Sequence, residues 1–171
     1  MFLRKYFFKQ KVGYFSYFIW NSEKKTISSV RDFKSLNLDL IIGIDNQKKT
    51  ILENTINFAK GNFTNNALLW GARGNGKSSL IKSVFKSTLK DNKNLKLIQL
   101  NKNNIFDIEI IYKKLGQLKE YRIIIFIDDL SFEKIDSDYK IIKSTLDGSI
   151  QHQPTNILLY VSSNRRHLMP R

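Results

Sequence analysis

Gly71, Gly74, Gly76, Lys77 and Ser78 fall within eight residues, in the order G-x-x-x-x-G-K-S. Glycines at these positions permit a tight turn and let a phosphate approach the main chain without meeting a Cβ. The N–H groups of Gly71, Ala72, Arg73, Gly74, Asn75 and Gly76 then line a nest for an anion. A helix over Ser79 to Leu89, following Lys77 and Ser78, would add its unpaired first-turn N–H groups and the positive end of its dipole. In such a loop the lysine reaches the β- and γ-phosphates and the serine hydroxyl faces a magnesium ion. The alternative is a glycine-rich turn that merely ends in Lys-Ser. The flanks argue against it. Ala67 to Trp70 is a short apolar run of strand type, and Leu80, Ile81, Val84, Phe85 and Leu89 recur at helical spacing.

A second constellation is the carboxylate pair Asp128-Asp129, which ends the run Ile123-Ile124-Ile125-Phe126-Ile127. A continuous apolar run suits a central parallel strand covered on both faces, and its carboxyl end is where such sheets bind ligands. Asp128 is then the candidate magnesium ligand, directly or through water. Asp129 is the candidate base for polarising an attacking water. Alternatively, the pair simply opens a turn. A third constellation ends the run Asn156 to Val161. Asn164 is placed to orient water or touch a terminal phosphate. Arg165 and Arg166 carry planar guanidinium groups suited to phosphate, in the same molecule or across to a neighbour, or they form a solvated basic turn.

Positioning these groups requires alternating strands and helices. The pattern predicts a short apolar run at Leu40-Ile41-Ile42, a helix from Asp45 or Asn46 to about Lys60 with Asp45 as N-cap and Gly61 as its stop, and a strand over 67–70. It continues with the helix after the loop, a strand over 95–100, a helix over 105–118, a strand over 122–129, a short helix over 138–146 and a strand over 156–161. This order predicts a parallel β-sheet flanked by helices, an α/β fold. Residues 1–35 hold Tyr6, Phe7, Phe8, Tyr14, Phe15, Tyr17, Phe18 and Trp20. We expect an aromatic and basic N-terminal arm whose rings pack on the domain at 36–171; a docking surface for a partner is the other reading.

The 171 residues contain no cysteine, which excludes disulfides, thiolate metal sites and cysteine nucleophiles. His152 and His167 are the only histidines, too few for a histidine-built metal site. The formal net charge is +14, a balance that suits nucleic acid, although the lysines are spread along the chain and a general Lys/Asn/Ile bias accounts for them equally. No run approaches the roughly 20 apolar residues of a membrane span, and the start lacks a cleavage site, so a cytoplasmic protein is expected.

Together, IIGIDNQKKTILENT (41–55), LLWGARGNGKSSLIKSVF (68–85), FIDDLSFE (126–133), YKIIKSTLDGS (139–149) and LLYVSSNRRHLMP (158–170) resemble the AAA+ ATPases, and most closely a bacterial family of uncharacterised AAA-type ATP-binding proteins. The resemblance covers most of residues 41–170. It implies an αβα sandwich that binds ATP with Mg²⁺ and couples hydrolysis to conformational change in a protein partner. It sets Ile42 and Gly43 against adenine, and Gly71 to Ser79 around the phosphates. Lys77 and Ser78 match the Walker A ligands, Asp128 the Walker B aspartate and Asn164 the sensor-1 residue. Arg165 and Arg166 match paired arginines that would serve as a finger in a ring of identical subunits. Asp129 stands where the family carries a glutamate, and residues 36–171 would be a partial core without the last strand and the lid. A nucleotide-dependent switch with little turnover, with or without DNA, is the alternative function. Asn101-Lys102-Asn103-Asn104 lacks the aspartate that reads guanine, and no acceptor pocket of a small-molecule kinase is recognisable.

Overall fold

Ile123 to Ile127 are all fully buried, because this strand is covered by helices on both faces. The structure is a computed structural model and describes residues 2–130, 140, 142–145 and 153–164. In chain order its elements are helix α1 (Phe2–Tyr14), strands β1 (Tyr17–Asn21) and β2 (Thr26–Ser29), α2 (Asp45–Ala59), β3 (Ala67–Trp70), α3 (Lys77–Leu89), β4 (Leu95–Leu100), α4 (Ile108–Leu115), β5 (Arg122–Ile127) and β6 (Ile157–Ser163). Short 3-10 segments occupy Leu38–Leu40 and Lys102–Asp107, the second kinked at Asn104.

The six strands form one sheet in the order β2-β1-β4-β5-β6-β3. Every pairing is parallel except β1 with β2. Apolar side chains form a layer on each face. One layer gathers Phe18, Trp20, Ile27, Ile98, Ile111, Leu115, Ile125 and Leu159. The other gathers Ile51, Phe58, Leu80, Val84, Phe85, Leu97, Ile124, Phe126 and Tyr160 beneath α2 and α3. The expected α/β sandwich is therefore present, with one unpredicted addition. Residues 17–29 are a hairpin that extends the sheet beyond β4, with Phe18 and Trp20 as core residues.

Two local expectations need correction. The helix placed at 105–118 is helical as α4 only over Ile108–Leu115, preceded by the 3-10 turn at Lys102–Asp107. Asp45 does not cap α2; Ile44 takes that position without a side-chain bond, and Asp45 sits in the first turn, where its charge faces the helix dipole. Trp70, the last residue of the apolar run read as a strand, is 57% exposed at the end of the edge strand β3. Of the short helix expected at 138–146, residues 142–145 are helical; 131–139, 141 and 146 lie outside the described residues.

The amino edge of the sheet uses its polar groups for structure. Arg122 donates from Nε to the Phe58 carbonyl at 2.7 Å and stacks over the Phe58 ring. Asn156 donates to the carbonyls of Leu115 and Leu118. Asn66 pairs with Gln153 and accepts from Leu159 N. The carboxyl edge carries the second set of polar groups.

Candidate functional site

β3 delivers the chain to Gly71, whose N–H donates to the Ser163 carbonyl of β6 at 3.2 Å. The loop then turns back into α3. Gly76 caps α3 at φ 72°, and Gly74 lies at φ 85°, both in the left-handed region that glycine enters without a Cβ penalty. α3 begins at Lys77, so its first-turn N–H groups face the loop. Lys77 curls back and donates from Nζ to the Gly71 carbonyl at 2.9 Å and the Ala72 carbonyl at 2.7 Å. Its ammonium therefore lies at the mouth of the nest.

β5 ends at Ile127 and presents Asp128 to α3. Oδ1 of Asp128 accepts from the Ser78 hydroxyl and, at 2.6 Å, from the Ser162 hydroxyl. Three elements, α3, β5 and β6, thus converge on one carboxylate. Ser162 was not singled out in the sequence; its signal is that β6 pairs parallel with β5 and carries a hydroxyl two residues before Asn164. Its Oγ also accepts from Asp129 N at 2.9 Å, which locks the turn after β5.

Asp129 has φ 53°, a left-handed conformation uncommon outside glycine but tolerated by aspartate. This geometry sends the chain onward so that Leu130 N donates to the Ser162 carbonyl at 2.8 Å. The Asp129 carboxylate accepts from Asn164 Nδ2 through Oδ1 and from Lys102 Nζ through Oδ2 at 3.1 Å. Lys102 also donates to the Asp129 carbonyl. Asp129 and Asn164, paired in the sequence reading only as neighbours in function, touch. Lys102 was passed over because its 27-residue separation from Asp129 conceals adjacent strand ends.

Ile41 is buried under the α3 layer, whereas Ile42 is 85% exposed next to Gly43 at φ 84°. Lys48 of α2 fixes this segment by donating to the Ile41 carbonyl at 3.0 Å. Arg165 and Arg166 lie outside the described residues.

The donors around Asp128 are hydroxyl and carboxylate oxygens, hard ligands that suit Mg²⁺. Among the described residues no cluster of three or more His, Cys, Asp or Glu could hold a metal by itself. A cation here would take its remaining ligands from water and phosphate, as Mg²⁺ commonly does. The residues fit that ion, and Ser78 and Asp128 would be its protein ligands.

Tyr17 of β1 reaches the same face. Its hydroxyl donates to Gln99 Oε1 at 2.5 Å. Burial first, and the nearby Asp128 charge second, hold the phenol above its usual pKa. Among the described residues no helix is long and apolar enough to cross a membrane.

Comparisons with known proteins find one matching family model and several solved structures of similar fold. Residues 14–171 match a family model described as "Protein of unknown function (DUF815)". Among solved structures, PCH-2 of C. elegans is 16% identical with a TM-score of 0.55, over 79% of this chain and 41% of that one. The RuvB Holliday junction branch migration motor of Thermotoga maritima is 24% identical with a TM-score of 0.50, over 78% and 43%. The Aeropyrum pernix ORC1 protein, solved in complex with DNA, is 15% identical with a TM-score of 0.51, over 82% and 47%. The chain spans less than half the length of each. No curated protein matches it.

Proposed function

The chain belongs to the DUF815 family and has the fold of the AAA+ ATPases, and from that premise we propose that it is an ATP-binding module that works with Mg²⁺. The module couples ATP binding and hydrolysis to conformational change in a protein partner. The observation that carries the reading is the convergence of the 71–78 loop, Ser78, Asp128 and Ser162 at the carboxyl edge of a parallel sheet.

The nest and the α3 N-terminus bind the phosphates. Lys77 exchanges its two carbonyl partners for phosphate oxygens, a charge-assisted replacement stronger than the bonds it gives up. Ser78 and Asp128 would hold the magnesium ion, which would neutralise charge on the phosphates. Exposed Ile42, beside the left-handed Gly43, offers an apolar contact to the base. Asp129 accepts a proton from the attacking water, and Asn164 orients that water. Arg165 and Arg166 supply the finger to a neighbouring copy's nucleotide.

A second reading, a switch with little turnover, is favoured by one observation. Asp129 is held by both Lys102 and Asn164, which engages the carboxylate needed as base. Titration with ATP tests binding. Trp70, exposed and adjacent to Gly71, is the reporter, since the second tryptophan, Trp20, is buried. ATP should change the Trp70 emission, and Lys77→Ala should weaken binding by at least about tenfold, the loss of one charged phosphate contact. Equal affinity of Lys77→Ala and the parent would sink the nucleotide reading. Phosphate release then separates the ATPase from the switch. Sedimentation with ATP, with Arg165→Ala and Arg166→Ala in turn, tests assembly.

A further inference from the structure

Tyr17 and Gln99 are polar groups on the face that carries Asp128, and the mechanism above uses neither. In the sheet register Gln99 lies opposite Phe126, and Tyr17 lies opposite Leu97. Phe126, Leu97 and Tyr17 all belong to the layer beneath α2 and α3. Asp128 follows Phe126 by two residues, so the alternation of a strand returns it to that face. Gln99 therefore stands one strand over from Asp128 at the same edge.

The Tyr17 ring is set by packing. It lies 4.4 Å from the Phe33 ring, and Phe33 meets Phe85 of α3 edge-on at 5.6 Å. Tyr17 is 7% exposed and donates to Gln99 Oε1 at 2.5 Å. That bond orients the amide: Oε1 is engaged, and Nε2 has no acceptor among the described residues. Asp128 shows the complementary lack. Oδ1 takes the Ser78 and Ser162 hydroxyls, and Oδ2 has no donor among the described residues. One oriented donor and one open carboxylate oxygen thus sit on one face.

We propose that Gln99, fixed by Tyr17, positions the Asp128 carboxylate for a divalent cation through one water, which accepts from Gln99 Nε2 and donates to Asp128 Oδ2. Ligating carboxylates are commonly held by such outer hydrogen bonds. Neither residue touches the reacting atoms; both are positioning residues. The role also explains what the β1–β2 hairpin adds to the site, because Tyr17 begins β1. It rests on the nucleotide reading and extends it to a part of the chain that reading leaves out.

The test compares ATP affinity in excess EDTA and in millimolar Mg²⁺ for the parent, Gln99→Met, Tyr17→Phe and the double variant. The EDTA affinities should agree within about twofold, which shows that fold and phosphate nest are intact. The tightening produced by Mg²⁺ should fall about tenfold in Gln99→Met. It should fall by a smaller factor in Tyr17→Phe, and the double variant should match Gln99→Met, since Tyr17 acts through Gln99. An unchanged Mg²⁺ effect in both single variants overturns the proposal. So does an equal loss in EDTA and in Mg²⁺, which would mark a purely structural role. A parent chain without ATP affinity overturns the nucleotide reading and takes this inference with it, so the two failures are distinct.

Discussion

In the proposed hydrolysis Asp129 is the base, and Lys102 is the side chain that restrains it. Lys102 Nζ holds the Asp129 carboxylate at 3.1 Å, a contact that must give way before that carboxylate can reach an attacking water. Lys102→Ala should therefore raise phosphate release about threefold, whereas Asp129→Asn should lower it at least tenfold. Lower release in Lys102→Ala would place the lysine in the chemistry instead of in restraint. Gly76 poses a conformational question. A Cβ added there meets nothing within 4 Å, so sterics against neighbours cost nothing. Its φ of 72° does cost, and Gly76→Ala should lose about 1–2 kcal/mol of stability in urea unfolding. An unchanged midpoint would mean that the loop relaxes. The placement of the glycines, Lys77, Ser78 and Asp128 was legible in the sequence, because the loop spacing and the strand end fix where they lie. Lys102, Ser162 and Tyr17 were not, because each acts across strands and no local pattern records which strands are neighbours.

The hairpin is the element that local patterning hid. Tyr17-Phe18-Ile19-Trp20 has no polar alternation: Phe18 and Trp20 are buried on one face, Tyr17 is buried on the other, and Ile19 is 45% exposed. Its preceding aromatic helix masks the strand start. The Ile-rich β5, by contrast, announced itself, since burial on both faces demands a continuous apolar run. Besides the β1–β4 pairing, Asp107 ties the hairpin to the domain. Its carboxylate accepts from Trp20 Nε1 at 2.8 Å, Ser22 Oγ at 2.5 Å and Lys25 Nζ at 2.6 Å. Burial pushes its pKa up, but these hydrogen bonds and the Lys25 charge outweigh burial and hold the pKa below the usual carboxylate value. A carboxyl depressed on folding stabilises the fold above its unfolded pKa, about 3.9, and loses that contribution as pH falls through the folded value. Parent and Asp107→Asn should therefore show their largest stability difference above about pH 5, converging in more acid solution. Asp107→Ala should cost about 2–3 kcal/mol at neutral pH, because it leaves the buried Trp20 N–H unpaired. A stability difference that grows on acidification would overturn this assignment.

At the scale of the whole molecule, the fold was legible and the use of the charge was not. Alternating strands and helices prescribe the sandwich, but a net charge of +14 states only that polyanions are attracted. Two uses of that charge make different predictions. Nucleotide binding draws on a local nest and on Lys77, and so changes modestly with salt. A nucleic-acid surface neutralises several phosphates at once and releases their counterions. For duplex DNA, log K should then fall linearly with log salt, with a slope of about −0.9 for each phosphate contacted. A DNA-binding surface requires a slope of about −3 or steeper, and Lys77→Ala should change it by less than about one, because one lysine accounts for at most one phosphate. Fluorescence anisotropy of a labelled duplex across a salt series measures both. Undetectable affinity at low salt would assign the charge to composition alone, and a slope abolished by Lys77→Ala would mean that DNA enters through the nucleotide site.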